Sequence, residues 1–293
     1  MKKHRILLLF FLALLLGCKT PPPPLPPLEH SPSLLEFNRI EASAIDAVTL
    51  YFSLQVQNAR TVPMNMEIHD WKLSINGIEA NSDSAQLFIE GKAARQAGIP
   101  ADPGAKLEKE LVLKLDLAGH NLLKLLENAD NYQAELKLNL VYHYGSSAPV
   151  HGEASAVAVF PRIREPVFSI TSIAILQAEL VNTRFRVSLR IDNPNPFPVA
   201  LSSFKYELYG EGLYWAGGQE KNVLRIPAMG QAETKLFLTM NFINMKRHLL
   251  DEIIALRNVN YRFLGDVEVG TEIPWLPSFK MKFDRSGLSE VLK

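Results

Sequence analysis

Apolar and polar residues alternate in short blocks along most of the chain, and the alternation gives way to helical spacing at two places. Leu50, Phe52, Leu54 and Val56 alternate with mostly polar neighbours, as do Phe185, Val187, Leu189 and Ile191. Successive side chains of a strand point to opposite faces, so each block predicts a half-buried strand. Leu111, Leu113 and Leu115 predict another strand, as do Leu236, Leu238 and Met240. Ala134, Leu136, Leu138 and Leu140 form a further block, matched by Tyr261, Phe263 and Val267. Between these blocks, Leu122, Leu123, Leu125 and Leu126 mark one short helix; Leu249, Leu250, Ile253, Ile254 and Leu256 mark a second.

The blocks recur in the same order, which predicts an internal duplication. At an offset of 135 residues (58 to 193), Asn58 falls on Asn193, Val62-Pro63 on Phe197-Pro198, Trp71 on Tyr206 and Gly77 on Gly212. At an offset of 127 (100 to 227), Ile99-Pro100-Ala101 falls on Ile226-Pro227-Ala228, with Gly104 and Gly230 following. The first copy spans residues 34–162 and the second 167–285, leaving 286–293 as a C-terminal tail. Residues 81–98 are an insertion peculiar to the first copy. Each copy reads as a two-sheet β-sandwich with one short α-helix, so the fold class is all-β.

The second copy carries Asp192-Asn193-Pro194-Asn195-Pro196-Phe197-Pro198-Val199 directly after its first alternating strand. Proline removes a ladder donor and fixes φ, so the strand must stop at Asn193. Asn193 and Asn195 can bond their own backbone in Asx turns, which makes the stretch a rigid crossing between strands. A ligand lip is the functional alternative, since rigid scaffolds display binding residues on loops.

This motif, with Ile226-Pro227-Ala228-Met229-Gly230 and the strand and helix that follow, resembles the Asn-Pro-Asn hallmark of the type-2 late embryogenesis abundant proteins, which share the WHy (water stress and hypersensitive response) domain. The first copy reads Gln57-Asn58-Ala59-Arg60-Thr61-Val62-Pro63 and lacks the full hallmark. The resemblance implies an immunoglobulin or fibronectin-III-like sandwich in each copy. It also implies occurrence as exported bacterial lipoproteins and an association with stress or desiccation tolerance, and its pattern includes no catalytic residues.

The N-terminus fits that picture. Lys2, Lys3, His4 and Arg5 precede an apolar run over residues 6–16, shorter than the roughly 20 residues a spanning helix needs. The run ends in Leu15-Leu16-Gly17-Cys18, which resembles a bacterial lipobox, and Cys18 is the chain's single cysteine. Residues 1–17 are therefore expected to be a signal peptide and Cys18 the lipidated residue; an ordinary signal peptide with an incidental cysteine is the alternative. Residues 18–33 hold a proline-rich tract suited to a polyproline II tether. The expected location is the bacterial cell envelope, at the periplasmic face or the cell surface.

Charge is balanced at 31 basic and 31 acidic residues, which offers no footprint for nucleic acid. No nucleophile–base pattern, phosphate loop or zinc spacing stands out, so neither an enzyme nor a cofactor nor a metal is expected. Arg184, Arg186 and Arg190 share one strand face, opposite Phe185, Val187 and Leu189. That stripe reads either as a contact surface for lipid headgroups or an acidic partner, or as a solvated, salt-bridged face. Trp215, beside Tyr214, reads as an aromatic at a hairpin tip and a candidate contact residue. The expected role is a non-enzymatic, lipid-anchored binding or protective module. The alternative is a structural adaptor whose sheet edges pair with a partner protein.

Overall fold

The computed structural model describes residues 33–292 except 82, 119–121, 178–182, 241–254 and 256–257. Its architecture is all-β. In the N-terminal half the strands are β1 (Leu34–Ala42), β2 (Ala47–Gln57), β3 (Met64–Ile75), β4 (Ile78–Glu79), β5 (Ala85–Ile89), β6 (Lys92–Ala93), β7 (Gly98–Ala101), β8 (Lys106–Asp116), β9 (Asn131–Tyr144) and β10 (Val150–Pro161). They form two sheets, β1-β2-β8-β5-β6 and β10-β9-β3-β4, with β7 pairing to β3. Leu50, Phe52, Leu54 and Val56 of β2 all point into the space between them, as the alternation requires. One helical turn, α1 (Leu122–Leu125), follows β8.

The C-terminal half holds β11 (Val167–Gln177), β12 (Thr183–Asp192), β13 (Val199–Gly210), β14 (Leu213–Glu220), β15 (Leu224–Ile226), β16 (Gln231–Met240), β17 (Asn258–Thr271) and β18 (Ser278–Leu292). Here the hydrogen bonding runs without a break through β14-β13-β17-β18-β11-β12-β16. The junction is a short parallel pairing of Ser172, Ile173 and Ala174 with Glu290, Val291 and Leu292. The expected division into two separate sheets is thus bridged in this half. Residues 286–292, expected to be a tail, are instead the last part of β18, with Ser289 and Val291 buried. The second helix, expected around Leu249–Leu256 by spacing, lies outside the described residues.

Each half has its own apolar core. In the C-terminal half Phe168, Phe204, Phe263 and Phe283 pack ring to ring, with centroids 4.6–6.0 Å apart. The halves meet through Trp275, which packs against both cores. Its ring lies edge-on to Phe160 at 6.2 Å, and its carbonyl accepts the Ala42 N–H at 3.2 Å.

Pairing also corrects one register. Ala101 lies opposite Met64, and Ile226 lies opposite Val199. Ala101 therefore corresponds to Ile226, two residues from the sequence match of the Ile-Pro-Ala triplets. A shift of two keeps every side chain on its face, so apolar alternation cannot detect it. The same register equates Gly104 (φ 75°) with Met229 (φ 49°) rather than with Gly230, and both sit in the left-handed region.

Candidate functional site

The crossing after the second strand of each half, β2 and β12, is built around a buried asparagine. Asn193 is 2% exposed; its Nδ2 donates to the carbonyls of Phe197 at 2.8 Å and Pro227 at 3.0 Å. Its Oδ1 accepts from Asn195 N at 3.1 Å and Asn195 Nδ2 at 2.9 Å. Asn58, 0% exposed, repeats this arrangement: Nδ2 donates to Val62 O at 2.8 Å and to Ala101 O and Asp102 O at 3.1 Å, while Oδ1 accepts from Arg60 N at 3.1 Å. The backbone agrees as well. Asn193 N donates to Gly230 O at 2.8 Å, and Asn58 N donates to Ala105 O at 2.9 Å. Pro194 and Pro198 lie half-buried in the same turn, where no ladder bond is required of them.

The second asparagine has a different task. Asn195 Oδ1 accepts from Arg164 N at 2.7 Å, and its Nδ2 donates to Arg164 O at 2.8 Å. One side-chain amide thus binds both polar groups of one linker residue. Arg164 in turn reaches back to Ala129 O at 2.9 Å and Asp130 Oδ1 at 3.1 Å. Position 60 stands where Asn195 would be. Arg60 instead lays its guanidinium over the Tyr144 ring at 3.9 Å.

The other sequence candidates divide. Arg184, Arg186 and Arg190 do share the outward face of β12, but Arg190 is paired with Asp192 at 3.1 Å. Phe237, 66% exposed, lies beside Arg186 on β16. Trp215 is not at a hairpin tip. It is 4% exposed and stacks on Phe185 at 5.6 Å, inside the core. The turn lies earlier, at Glu211-Gly212, and a register shift between Leu208 and Tyr209 turns Trp215 inward. Cys18 and the proline-rich tether lie outside the described residues.

One feature was not expected from the sequence, a cleft of about 570 Å³ in the N-terminal half. It runs between β3 and β4 on one side and β5 and β6 on the other, the open edges of two sheets. Consecutive residues of both strands line it, Asp70 to Leu73 and Ala85 to Phe88. Consecutive lining means the space follows strand edges rather than one face, because side chains alternate. Arg95, on the 3₁₀ turn Ala94–Gln96 of the insertion, reaches across to an ion pair with Asp70. Partial burial raises the Asp70 carboxyl. The Trp71 N–H and Arg95 outweigh that and hold it below the usual carboxylate range. Asp70 and Glu79 balance Lys72 and Arg95 around the cleft, so its charge is close to neutral. The insertion at 81–98 was the available sequence signal, but no periodicity says that it leaves a gap.

Comparison with known proteins gives one informative match. No curated protein matches the chain in sequence. Among solved structures, a protein from Archaeoglobus fulgidus aligns over 42% of this chain and 97% of its own, at 16% identity and a TM-score of 0.27. A calcium binding mutant of Bacteroides uniformis beta-glucuronidase 2 aligns over 81% of this chain and 26% of its own, at 9% identity and a TM-score of 0.26. Red sea bream transglutaminase aligns over 88% of this chain and 31% of its own, at 12% identity and a TM-score of 0.21. Scores this low transfer neither fold nor function. The sequence of residues 188–287, which contains the Asn193 crossing, β13 to β17 and most of β18, matches the family model described as Late embryogenesis abundant protein.

Proposed function

We propose that the chain is a lipid-anchored bacterial envelope protein of two tandem WHy-like sandwich domains, immunoglobulin or fibronectin-III-like, held away from the membrane by the proline-rich tether. It acts without catalysis, as a binding or stress-protective module. The observation that carries this reading is the family match over 188–287, which takes in near its start a hallmark whose side-chain amides are engaged within the fold. Asn193 and Asn195 have their amides engaged by backbone and by each other, which leaves little for a substrate.

The test is a deletion strain complemented with wild type, Cys18→Ser or Asn193→Ala. Survival after drying should return with wild type and fall with Asn193→Ala in proportion to the folded protein remaining. Cys18→Ser should move the protein from the membrane to the soluble fraction. Full membrane retention of Cys18→Ser would overturn the anchor, and unaltered drying survival in the deletion strain would overturn the protective role. An adaptor that receives a partner strand is the second reading. The open edge cleft of the N-terminal half favours it, since unpaired strand edges are templates for another chain.

A further inference from the structure

The two halves turn the same corner and then part. β3 and β4 are joined by Asn76-Gly77, with φ 49° and 81°. β13 and β14 are joined by Glu211-Gly212, with φ 48° and 77°. Both are tight turns with two left-handed residues, 135 positions apart. After its turn, the C-terminal half runs eight residues back along β13, from Leu213 to Glu220. The N-terminal half runs only two, Ile78 and Glu79, before crossing to the other sheet as β5.

The difference leaves a strand position unfilled. In the C-terminal half Leu208 is paired with Ala216, Tyr206 with Gly218 and Lys205 with Gln219. In the N-terminal half Leu73 still receives the Ala80 N–H at 2.8 Å, but among the described residues Trp71 faces no strand on that side. Peptide groups alternate in direction along a strand. Trp71 is two residues from Leu73, so its carbonyl points the same way, into the cleft. Its N–H meets the Asp70 carboxylate, and Arg95 holds that carboxylate from across the gap. An inward-turned charge of this kind blunts an open edge.

We infer that the cleft between β3 and β5 is an acceptor slot for an extended segment of a partner protein, which adds a short strand along Asp70–Lys72 as Gly217, Gly218 and Gln219 of β14 do along β13. This rests on the adaptor reading above and specifies its surface. The second half of the chain shows what fits. Gly218 lies under the Tyr206 ring, where a Cβ would come within 2.6 Å of the hydroxyl. The partner segment therefore carries a small residue opposite Trp71 and little net charge, and its paired part starts beyond Ala80, which already holds the place opposite Leu73. The Asp70–Arg95 pair is the latch that entry displaces.

The probe is a synthetic peptide with the sequence of Leu213–Glu220, Leu-Tyr-Trp-Ala-Gly-Gly-Gln-Glu. It carries a photoreactive side chain in place of the tyrosine and is titrated against the full protein. Crosslinks mapped by mass spectrometry should fall in residues 70–95. Replacing the glycine that copies Gly218 by N-methylglycine removes the ladder donor and should weaken binding at least about tenfold, the loss of a single backbone hydrogen bond or more. The same change at the glycine that copies Gly217, whose N–H points away, should leave affinity within about twofold. Arg95→Ala should strengthen binding several-fold. Absence of binding to Arg95→Ala, indifference to the first N-methyl group, or crosslinks confined to the C-terminal half would each overturn the slot. The adaptor reading fails separately. If a stoichiometric envelope partner is recovered equally by wild type and by the slot-filled variant Ala80→Trp, the adaptor stands and the slot falls. If the peptide behaves as expected and no partner is recovered, the slot stands and the adaptor falls.

Discussion

Asn193→Ala should be among the costliest single substitutions in the C-terminal half, and its magnitude follows from the groups it strands. The amide satisfies Asn195 N inside the fold, and Phe197 O and Pro227 O at its border, where Phe197 is half-buried and Pro227 exposed. A buried polar group left unpaired costs about 1–3 kcal/mol. Asn195 Nδ2 loses one partner but keeps Arg164 O, and carbonyls tolerate a missing bond better than amides do. Water can reach the two carbonyls, so the sum is about 2–3 kcal/mol, most of it from Asn195 N. For a half of this size, about 3–5 °C is lost per kcal/mol, which predicts a fall of about 6–15 °C in its melting transition. Differential scanning calorimetry with Asn58→Ala alongside is the assay, because Asn58 holds the same four-way arrangement in the other core. Each variant should lower the transition of its own half. A loss below about 1 kcal/mol for either residue would mean that the amide bonds contribute almost nothing net, and the structural account of the hallmark would fail.

Trp215→Ala should destabilise the C-terminal half by about 3–5 kcal/mol through lost packing on Phe185, read as a lower urea midpoint. Trp215→Phe should cost far less, since it keeps a ring and removes a buried indole N–H that has no partner. Burial, with Glu220 nearby, pushes the Tyr206 phenol up to about 12. A raised phenol favours the folded state fully below pH 10, and that contribution is lost as pH rises from about 10 through about 12. Stability should fall across that window and Tyr206→Phe should flatten the fall, whereas the same loss at pH 7–9 would contradict the assignment. Trp275→Ala should separate the melting transitions of the two halves, because Trp275 is the larger of the two side chains, with Ala42, that pack on both cores; unchanged calorimetric coupling would shift that role to the Arg164 contacts.

Strand faces were legible in the sequence because burial on one side imposes a period of two, and β2 and β12 obey it at all eight apolar positions. The paired role of Asn58 and Asn193 was legible too, since an asparagine between a strand and a proline has few other ways to satisfy its amide. Three things were not. The two-residue register shift at Ala101 and Ile226 leaves every face unchanged, so alternation is blind to it. Trp215 was misplaced because a bulge shifts parity by one, and glycines on both sides of the β14 hairpin imitate a longer loop. Gly217 and Gly218 are in fact strand residues, required where Tyr206 and its carbonyl come within 3.0 Å of a Cβ. The continuation of β18 to Leu292 was missed because its last residues place Gly287 and Ser289 on the inward side, which reads as polar.

The cleft was hidden for a related reason. Both halves contain a segment after the tight turn that must hydrogen bond to some edge, and both edges available to it are unpaired backbone. In the C-terminal half the segment stays with β13 and leaves the outer edge of β16 without a ladder partner among the described residues. In the N-terminal half it crosses and pairs β5 with β8, the strand that corresponds to β16, leaving Trp71 bare. The two solutions exchange one open edge for another, so total backbone pairing changes little and composition barely registers the choice. What differs is the wall of the gap. On β3 it has an aromatic ring, the Trp71 carbonyl and a displaceable ion pair, while on β16 the smaller gap of about 180 Å³ is lined by Val223 and Leu224. A strand entering beside β3 gains ladder bonds and an apolar wall at the expense of one exposed ion pair, which is worth about 0–1 kcal/mol. That imbalance is why the first of the two edges, and not the second, is the one built to receive another chain.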